Sequence, residues 1–493
     1  MNKKTGITSL ILLLLGAGLY TLVTWKWNIA AAAWLAPVFL IRYFRGQRRW
    51  WATLPAVLLL CGASYANKAG AWGMDPLLEV AVSGIAALPV LTALYLDRFT
   101  WRRLPVFWAT LTFPAVYVAL DYAISFLPLG TIFSLSASQF YFEPLVQAAA
   151  LTGIWGITFL VVWAAPVVNA LWEQDFTLRP ARTALTIYAL CLTSALLLGG
   201  LRLVIDRPAA STVRVTGVSV AHARNYWDAI IDKGTPEGLV RAFAPEMQAL
   251  NNQLFAESEQ AANNGAKVIF WSEAAAFLLP GERDAFMQRA QVFARQHQVY
   301  FMPAIQELRY GDTSGYNGLA MITPQGQIAY TYEKTMSWYA TTSDGLLHSV
   351  DTPFGRIGAA ICFDADFPGL IRQAAQQKVD ILLVPAFDTY QTRVYHSEIG
   401  LLRGVEDGFS VFRMVNEGTS MAVDYRGHLL ASQDFFTTHT RILTADLPTQ
   451  GVATLYGSLG DWFAWLSILL AVGSALSAAV RSGKQLVSAS QPA

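Results

Sequence analysis

Hydrophobic and polar positions are distributed in two different ways along this chain. Through residues 1–205, and again near the C-terminus, apolar residues run almost unbroken; between 206 and 458 they alternate with polar ones at strand and helix periods. Unbroken runs of roughly 17–25 residues cross a bilayer as helices. They predict eight spans at about 6–25, 28–41, 50–66, 77–96, 104–127, 148–172, 183–205 and 460–480. The polar region reads differently. Strands are expected at 213–220, 267–273, 299–306, 316–323, 327–334, 356–363, 380–386, 410–416 and 419–425. Helices are expected at 237–263, 282–297, 367–378 and 393–407, the first opened by Pro236 and closed by Gly265. Helices alternating with strands and hairpins suggest two sheets covered by helices.

The division predicts a seven-helix membrane bundle (1–205), an α/β domain (206–458), and a last span with its tail (459–493). Basic residues orient it, because short cytoplasmic loops are enriched in Lys and Arg. Lys3 and Lys4 precede span one, and Arg42, Arg45, Arg48 and Arg49 follow span two. Arg98, Arg102 and Arg103 follow span four, Arg179 and Arg182 follow span six, and Arg481 and Lys484 follow span eight. The alternate loops hold little beyond Lys26 and Lys68. Both termini are therefore expected in the cytoplasm and the α/β domain outside it. Lys-Lys before an apolar run also fits a signal peptide, but no small-residue cleavage site follows. The aromatic, nearly uncharged loop Thr131–Pro144 is expected on the outer face, dipping into the interface either as a lining for a lipid-accessible site or as an ordinary interfacial loop.

Composition narrows the function. Of 493 residues, 54% are hydrophobic and 14% charged, well below the roughly 25% charged of soluble domains. A net charge of +1 gives nothing for nucleic acid to bind. Three cysteines offer no disulfide framework; Cys61 and Cys191 lie in apolar runs as packing residues, leaving Cys362 alone in the α/β domain. The six histidines lack metal-ligand spacing, so neither a metal nor an organic cofactor is expected.

Cys362 closes an apolar strand, and Phe367–Arg372 opens a helix after it. Backbone N–H groups of such a turn are expected to lower the thiol pKa and to hold an oxyanion, with the N–H of Phe363 as one donor. Glu273 ends the strand from Lys267, and Lys334 ends that from Gln327. A carboxylate at a strand end suits proton transfer, and a lysine cation suits an oxyanion better than it suits a base. Alone, each residue reads as packing, a cap or a surface charge; their joint order and context point to nucleophilic attack on a carbonyl or nitrile carbon.

Trp271-Ser272-Glu273, Tyr332-Glu333-Lys334 and Ile361-Cys362-Phe363-Asp364 resemble the Glu, Lys and Cys motifs of the nitrilase superfamily. That resemblance implies an αββα sandwich over about 213–448, with Leu402–Gly408, including Glu406, similar to the stretch after the nucleophile. Seven spans before the domain and one after it resemble the bacterial apolipoprotein N-acyltransferases. So do Ser136–Gln139 with Pro144 and Leu145, Gly153–Gly156, and Thr454–Trp462. The likeness implies an enzyme of the bacterial inner membrane with its catalytic domain on the periplasmic side. It would move an acyl chain from a phospholipid, through a Cys362 thioester, to the α-amine of a diacylglyceryl-cysteine on a lipoprotein. The membrane half would deliver both lipid-anchored substrates. The departures are Ser272 where the family has Pro, Phe363-Asp364 where it has Tyr-Glu, and Thr335–Thr342 in place of a loop bearing a further active-site Glu. Asp364, Asp344 and Glu406 are supporting candidates, Asp344 as the nearest replacement for that Glu. The alternative is a membrane-bound nitrilase-like acyltransferase or amidase with another acceptor or substrate.

Overall fold

The computed structural model describes residues 3–71, 75–208, 211–221, 233–312, 315–337 and 341–489. Trp338, Tyr339 and Ala340, part of the divergent loop, lie outside the described residues. The chain forms two compact units: 1–205 with 459–493, and 206–458.

The first unit is helical. Its long helices are α1 (Lys3–Tyr20), α2 (Ala30–Gly46), α3 (Leu54–Lys68), α4 (Pro76–Thr100), α5 (Val106–Ile124), α6 (Ile154–Trp172) and α7 (Leu178–Ile205). The helix Trp462–Ala489 returns to this unit. All eight expected spans fall on helices, but they are not equal. By length and composition, α4, α5, α6, α7 and Trp462–Gly483 are long and apolar enough to cross a membrane. Helices α1, α2 and α3 have 18, 17 and 15 residues. The sixth expected span is interrupted: short helices Glu143–Val146 and Ala149–Thr152 precede α6, and Gly153 turns the chain at φ +67°. The Thr131–Pro144 loop is not free either. Leu135–Gln139 coil into a buried 3-10 turn, and Gln139 accepts from Trp34 Nε1 at 3.0 Å and donates to Ala30 O at 3.1 Å. A buried polar loop has to satisfy its own groups, and this one does so on α2.

The second unit is built on two sheets. Its strands are β1 (Thr212–Val218), β2 (Val268–Trp271), β3 (Ala276–Leu278), β4 (Tyr300–Met302), β5 (Ala304–Glu307), β6 (Tyr316–Ile322) and β7 (Ile328–Glu333). They continue as β8 (Ser349–Thr352), β9 (Gly355–Ala359), β10 (Ile381–Phe387), β11 (Ser410–Asn416), β12 (Thr419–Val423), β13 (Leu429–Asp434) and β14 (Ile442–Pro448). One sheet runs β14-β1-β2-β4-β6-β5-β3 with β7 beside β6; the other runs β13-β12-β11-β10-β9-β8. The sheets face each other: Phe270 of β2 meets Phe412 of β11 edge to face at 5.0 Å, inside one shared apolar core.

Helices α8 (Glu237–Asn263) and α9 (Arg283–His297) cover the outside of the first sheet, where Phe255, Phe286 and Phe293 pack on Trp271 and Phe301. Helices α10 (Pro368–Gln376) and α11 (Tyr395–Asp407) belong to the second sheet, completing an αββα sandwich. Central strands covered on both faces read as continuous apolar runs, and all four residues of β2 are buried. Two strand expectations change. The one at 299–306 splits at Pro303 into β4 and β5, because proline has no N–H to give the ladder. The one at 356–363 stops at Ala359, and Cys362–Asp366 form a 3-10 turn instead.

Candidate active site

Three polar groups, Glu273, Lys334 and Cys362, follow the carboxyl ends of strands, where open α/β sheets leave a crevice. Glu273 follows β2 and is buried. Its Oε1 accepts from Lys334 Nζ at 2.6 Å and from Asn317 Nδ2 at 2.8 Å. The same Asn317, in β6, accepts the Lys334 backbone N–H at 3.0 Å. One asparagine thus sets both the carboxylate and the start of the lysine. Burial works to lower the Lys334 pKa, but the Glu273 carboxylate, together with Cys362 and Asp364, outweighs it and the net movement is upward. Lys334 is a fixed cation.

Cys362, only 4% exposed, starts the turn after β9 with φ +50°. A side-chain-bearing residue in that region costs on the order of 1–3 kcal/mol, so its surroundings must impose it. Asp364 does much of that. Its carboxylate accepts from Ile361 N at 3.1 Å, Met336 N at 2.6 Å and the Tyr332 hydroxyl at 2.7 Å. This buried acid ties the cysteine turn to the segment carrying Lys334. Burial raises its pKa to about 6 against those hydrogen bonds.

The expected low-pKa thiol is not what the structure gives. Burial, then the Glu273 carboxylate, push the Cys362 thiol well up, and Lys334 and Arg413 do not reverse this. Turn dipoles are a partial charge, whereas loss of water acts on the whole thiolate. The resting thiol is protonated, and attack by its sulfur would require a base.

A second charged group, missed in the sequence, lies behind the thiol. Cys362 Sγ is 3.5 Å from Phe387 O, at the end of β10, and 4.0 Å from Arg413 Nη2, inside β11. Arg413 donates to Asp388 Oδ1 at 2.9 Å. His396 of α11 bridges Asp388 at 2.6 Å and Asp366 at 2.7 Å through its two ring nitrogens. Burial opposes its charge, but those carboxylates hold its pKa at about 9, so both nitrogens carry protons. The thiol, Asp388 and His396 offer ligand atoms within 4.8 Å of one another, a spacing a metal would accept. The cation actually standing among them is the Arg413 guanidinium.

The remaining candidates are placed elsewhere. Asp344 has a 53% exposed side chain, accepts from Leu346 N at 2.9 Å and pairs with His348 at 3.2 Å. Glu406 sits wholly buried in α11, 2.6 Å from Arg403 of the same helix. The divergent segment beyond Lys334 is tied back on itself, with Thr342 N donating to Glu333 Oε1 at 2.9 Å. Phe363 follows Cys362 in its turn, with its ring 5.2 Å from that of Phe367.

Residues 241–455 match the carbon-nitrogen hydrolase family model. With two facing sheets and a cysteine, lysine and glutamate at their strand ends, the class is a nitrilase-superfamily enzyme domain joined to a helical unit. The chain is 25% identical over 437 residues to the apolipoprotein N-acyltransferase of Geobacter metallireducens, covering 82% of this chain and 79% of that one. For the apolipoprotein N-acyltransferase of Shewanella oneidensis the figures are 22% over 417 residues, 76% and 75%. A deaminated glutathione amidase of Synechocystis sp. is 26% identical over 212 residues, 35% of this chain and 76% of that enzyme. The amidase likeness is confined to a third of the chain, while the two others extend through both units. Within the nitrilase superfamily, the chain is thus similar to the apolipoprotein N-acyltransferases through both units and to the amidase in one.

Proposed function

We propose that the protein N-acylates lipoproteins, with Glu273, Lys334 and Cys362 as its catalytic triad. The observation that carries this is the 2.6 Å Lys334–Glu273 bond acting on a buried, protonated thiol. Glu273 takes the Sγ proton as sulfur bonds to the ester carbonyl carbon of a phospholipid. The carbonyl electrons move onto oxygen, where Lys334 and the Phe363 N–H stabilise the charge. Collapse breaks the ester C–O bond, Glu273 returns its proton to the departing alkoxide, and a lysophospholipid leaves. The acyl group remains on Cys362 as a thioester.

The α-amine of a diacylglyceryl-cysteine then attacks the thioester and gives Glu273 a proton. The second tetrahedral intermediate breaks its C–S bond and the thiolate is reprotonated, leaving an amide. Asp364 positions the turn rather than touching the reacting atoms. By the distribution of basic residues, both termini lie in the cytoplasm and the catalytic domain on the periplasmic side of the inner membrane.

A second reading keeps the thioester and changes the acceptor. It is favoured by the segment after Lys334, which binds back to Glu333 and Asp364 instead of presenting an acid. Intact-protein mass spectrometry separates the two readings. Incubation with phospholipid should add one acyl mass to the wild type and none to Cys362→Ala, and a diacylated lipopeptide should remove that mass as it gains it. An adduct that decays only to free fatty acid would select the second reading; no adduct on a reactive Cys362 would end the first.

A further inference from the structure

The helical unit holds a charged pocket that the acyl-transfer chemistry does not use. It encloses about 610 Å³ and is lined by Arg48, Arg49, Trp50, Trp51, Tyr95, Arg98, Phe99 and Arg103. Half of that lining is guanidinium, half is aromatic, and no acid contributes. The wall is fixed in place: Tyr95 shares a hydrogen bond with Thr53 Oγ1 at 2.7 Å, which seats the 3-10 turn Trp50–Thr53 against α4.

Neighbouring arginines show what is unusual here. Arg45 makes two 2.7 Å bonds to buried Asp97 and lies over the Trp101 ring at 3.8 Å. Arg42 pairs with Glu173 at 2.9 Å. Among the described residues, Arg48, Arg49, Arg98 and Arg103 have no such carboxylate. Arg98 Nη2 donates to Gln47 O at 2.8 Å and Arg103 Nε to Ser482 Oγ at 2.6 Å, which hold the side chains without neutralising them. Four positive charges around one cavity repel one another unless an anion joins them. The pocket lies where α2 ends, α3 begins and α4 ends, and Trp50 and Trp51 are 69% and 52% exposed, as aromatic side chains at a headgroup level are.

We infer that this pocket binds the phosphate of an anionic headgroup, with the arginines gripping its oxygens and the aromatic rings covering the glycerol beside it. Arginine forks match phosphate geometry, and basic pockets between membrane helices suit anionic lipids. The same chemistry would take a soluble phosphate compound.

The experiment is native mass spectrometry of the full-length protein in detergent, titrated with phosphatidylglycerol or phosphatidylcholine, then challenged with inorganic phosphate. Phosphatidylglycerol should be retained in preference to phosphatidylcholine. Arg49→Gln with Arg98→Gln should weaken its retention about tenfold, each arginine near a lipid surface being worth a substantial fraction of that. Arg48→Gln alone should give a smaller loss in the same direction, which guards against a fold defect in the double variant.

Arg179→Gln with Arg182→Gln, exposed residues of α7 outside the pocket, is the control for basic residues that only set topology, and it should leave retention unchanged. Displacement of the lipid by millimolar phosphate would identify a soluble occupant of the same site; resistance would identify the lipid. Equal retention of the two lipids, or equal loss in both double variants, would overturn the inference.

Discussion

Cys362 stands between two buried charge groups that differ in origin and in work. In front, Glu273 and Lys334 come from the sheet containing β2 and β7, share one bond, and keep part of the lysine open to solvent, its side chain being 16% exposed. Behind, Arg413, Asp388, His396 and Asp366 gather around the other sheet, all but sealed. A proton carrier must reach both the thiol and an incoming substrate, which the front pair can do. A sealed cluster exchanges no protons with substrate. It fixes the backbone around Cys362 and sets the potential at its sulfur. The front group should therefore fail in rate and the back group in stability.

The largest expected effect is on rate. Lys334→Ala should lower acyl transfer by about 10²–10³-fold, the loss expected when an oxyanion donor is removed. Glu273 retains Asn317 as a partner, so the protein should stay folded and Cys362 should remain open to alkylation. Turnover and iodoacetamide labelling, measured on the same preparation, check both halves. Near-normal turnover would remove Lys334 from the chemistry.

Arg413→Met should reverse that balance. It leaves Asp388 with His396 but takes the guanidinium from a sealed charge cluster, a lesion of up to about 3–5 kcal/mol, and should lower the thermal midpoint far more than Lys334→Ala does. It should also shift the pH profile of Cys362 alkylation upward, because one of the two cations acting on the thiol is gone. Arg413→Lys should recover part of both. An unchanged midpoint would deny the back cluster its structural role.

His396 sharpens the comparison through pH. Its folded pKa of about 9 stands above the 6.5 of an unperturbed histidine because Asp388 and Asp366 outweigh burial, with Arg413 opposing them. The stability it contributes is whole below about pH 6.5 and is lost as pH rises through about 9, a difference on the order of 3 kcal/mol. Thermal midpoints between pH 6 and 10 should fall across that window in the wild type and flatten in His396→Gln. A wild-type profile without that fall would mean a neutral ring.

The two groups also differ in how far they can be read from residues alone. Glu273, Lys334 and Cys362 each end an apolar strand run, so period and order bring them forward. The back cluster is assembled from four separate elements, and only the parallel pairing of β10 with β11, which sets Val384 opposite Arg413, brings Asp388 to the guanidinium. One signal was available: an arginine inside Ser410–Asn416, a strand buried at every position, demands a partner. The sheet architecture was legible because alternation and Gly or Pro turns mark the strands. The thiol's resting state was not, because burial depends on what the other sheet places over it.

Asp344 carries the smallest expected effect and tests whether closeness in sequence meant closeness in space. It was the nearest acid to the place of the loop glutamate. In the folded chain its carboxyl is spent on Leu346 N and on His348, at the surface. Those contacts depress its pKa, the Leu346 bond most, but an exposed pair contributes little once screened by solvent. Asp344→Asn retains an oxygen for Leu346 N and loses only the attraction to His348. Turnover and its pH profile should stay within about twofold of the wild type, and the thermal midpoint should be unchanged, as for surface changes generally. A large loss of rate with unchanged folding would bring Asp344 to the substrate despite its exposure, and would place a second carboxylate on the front side of the thiol.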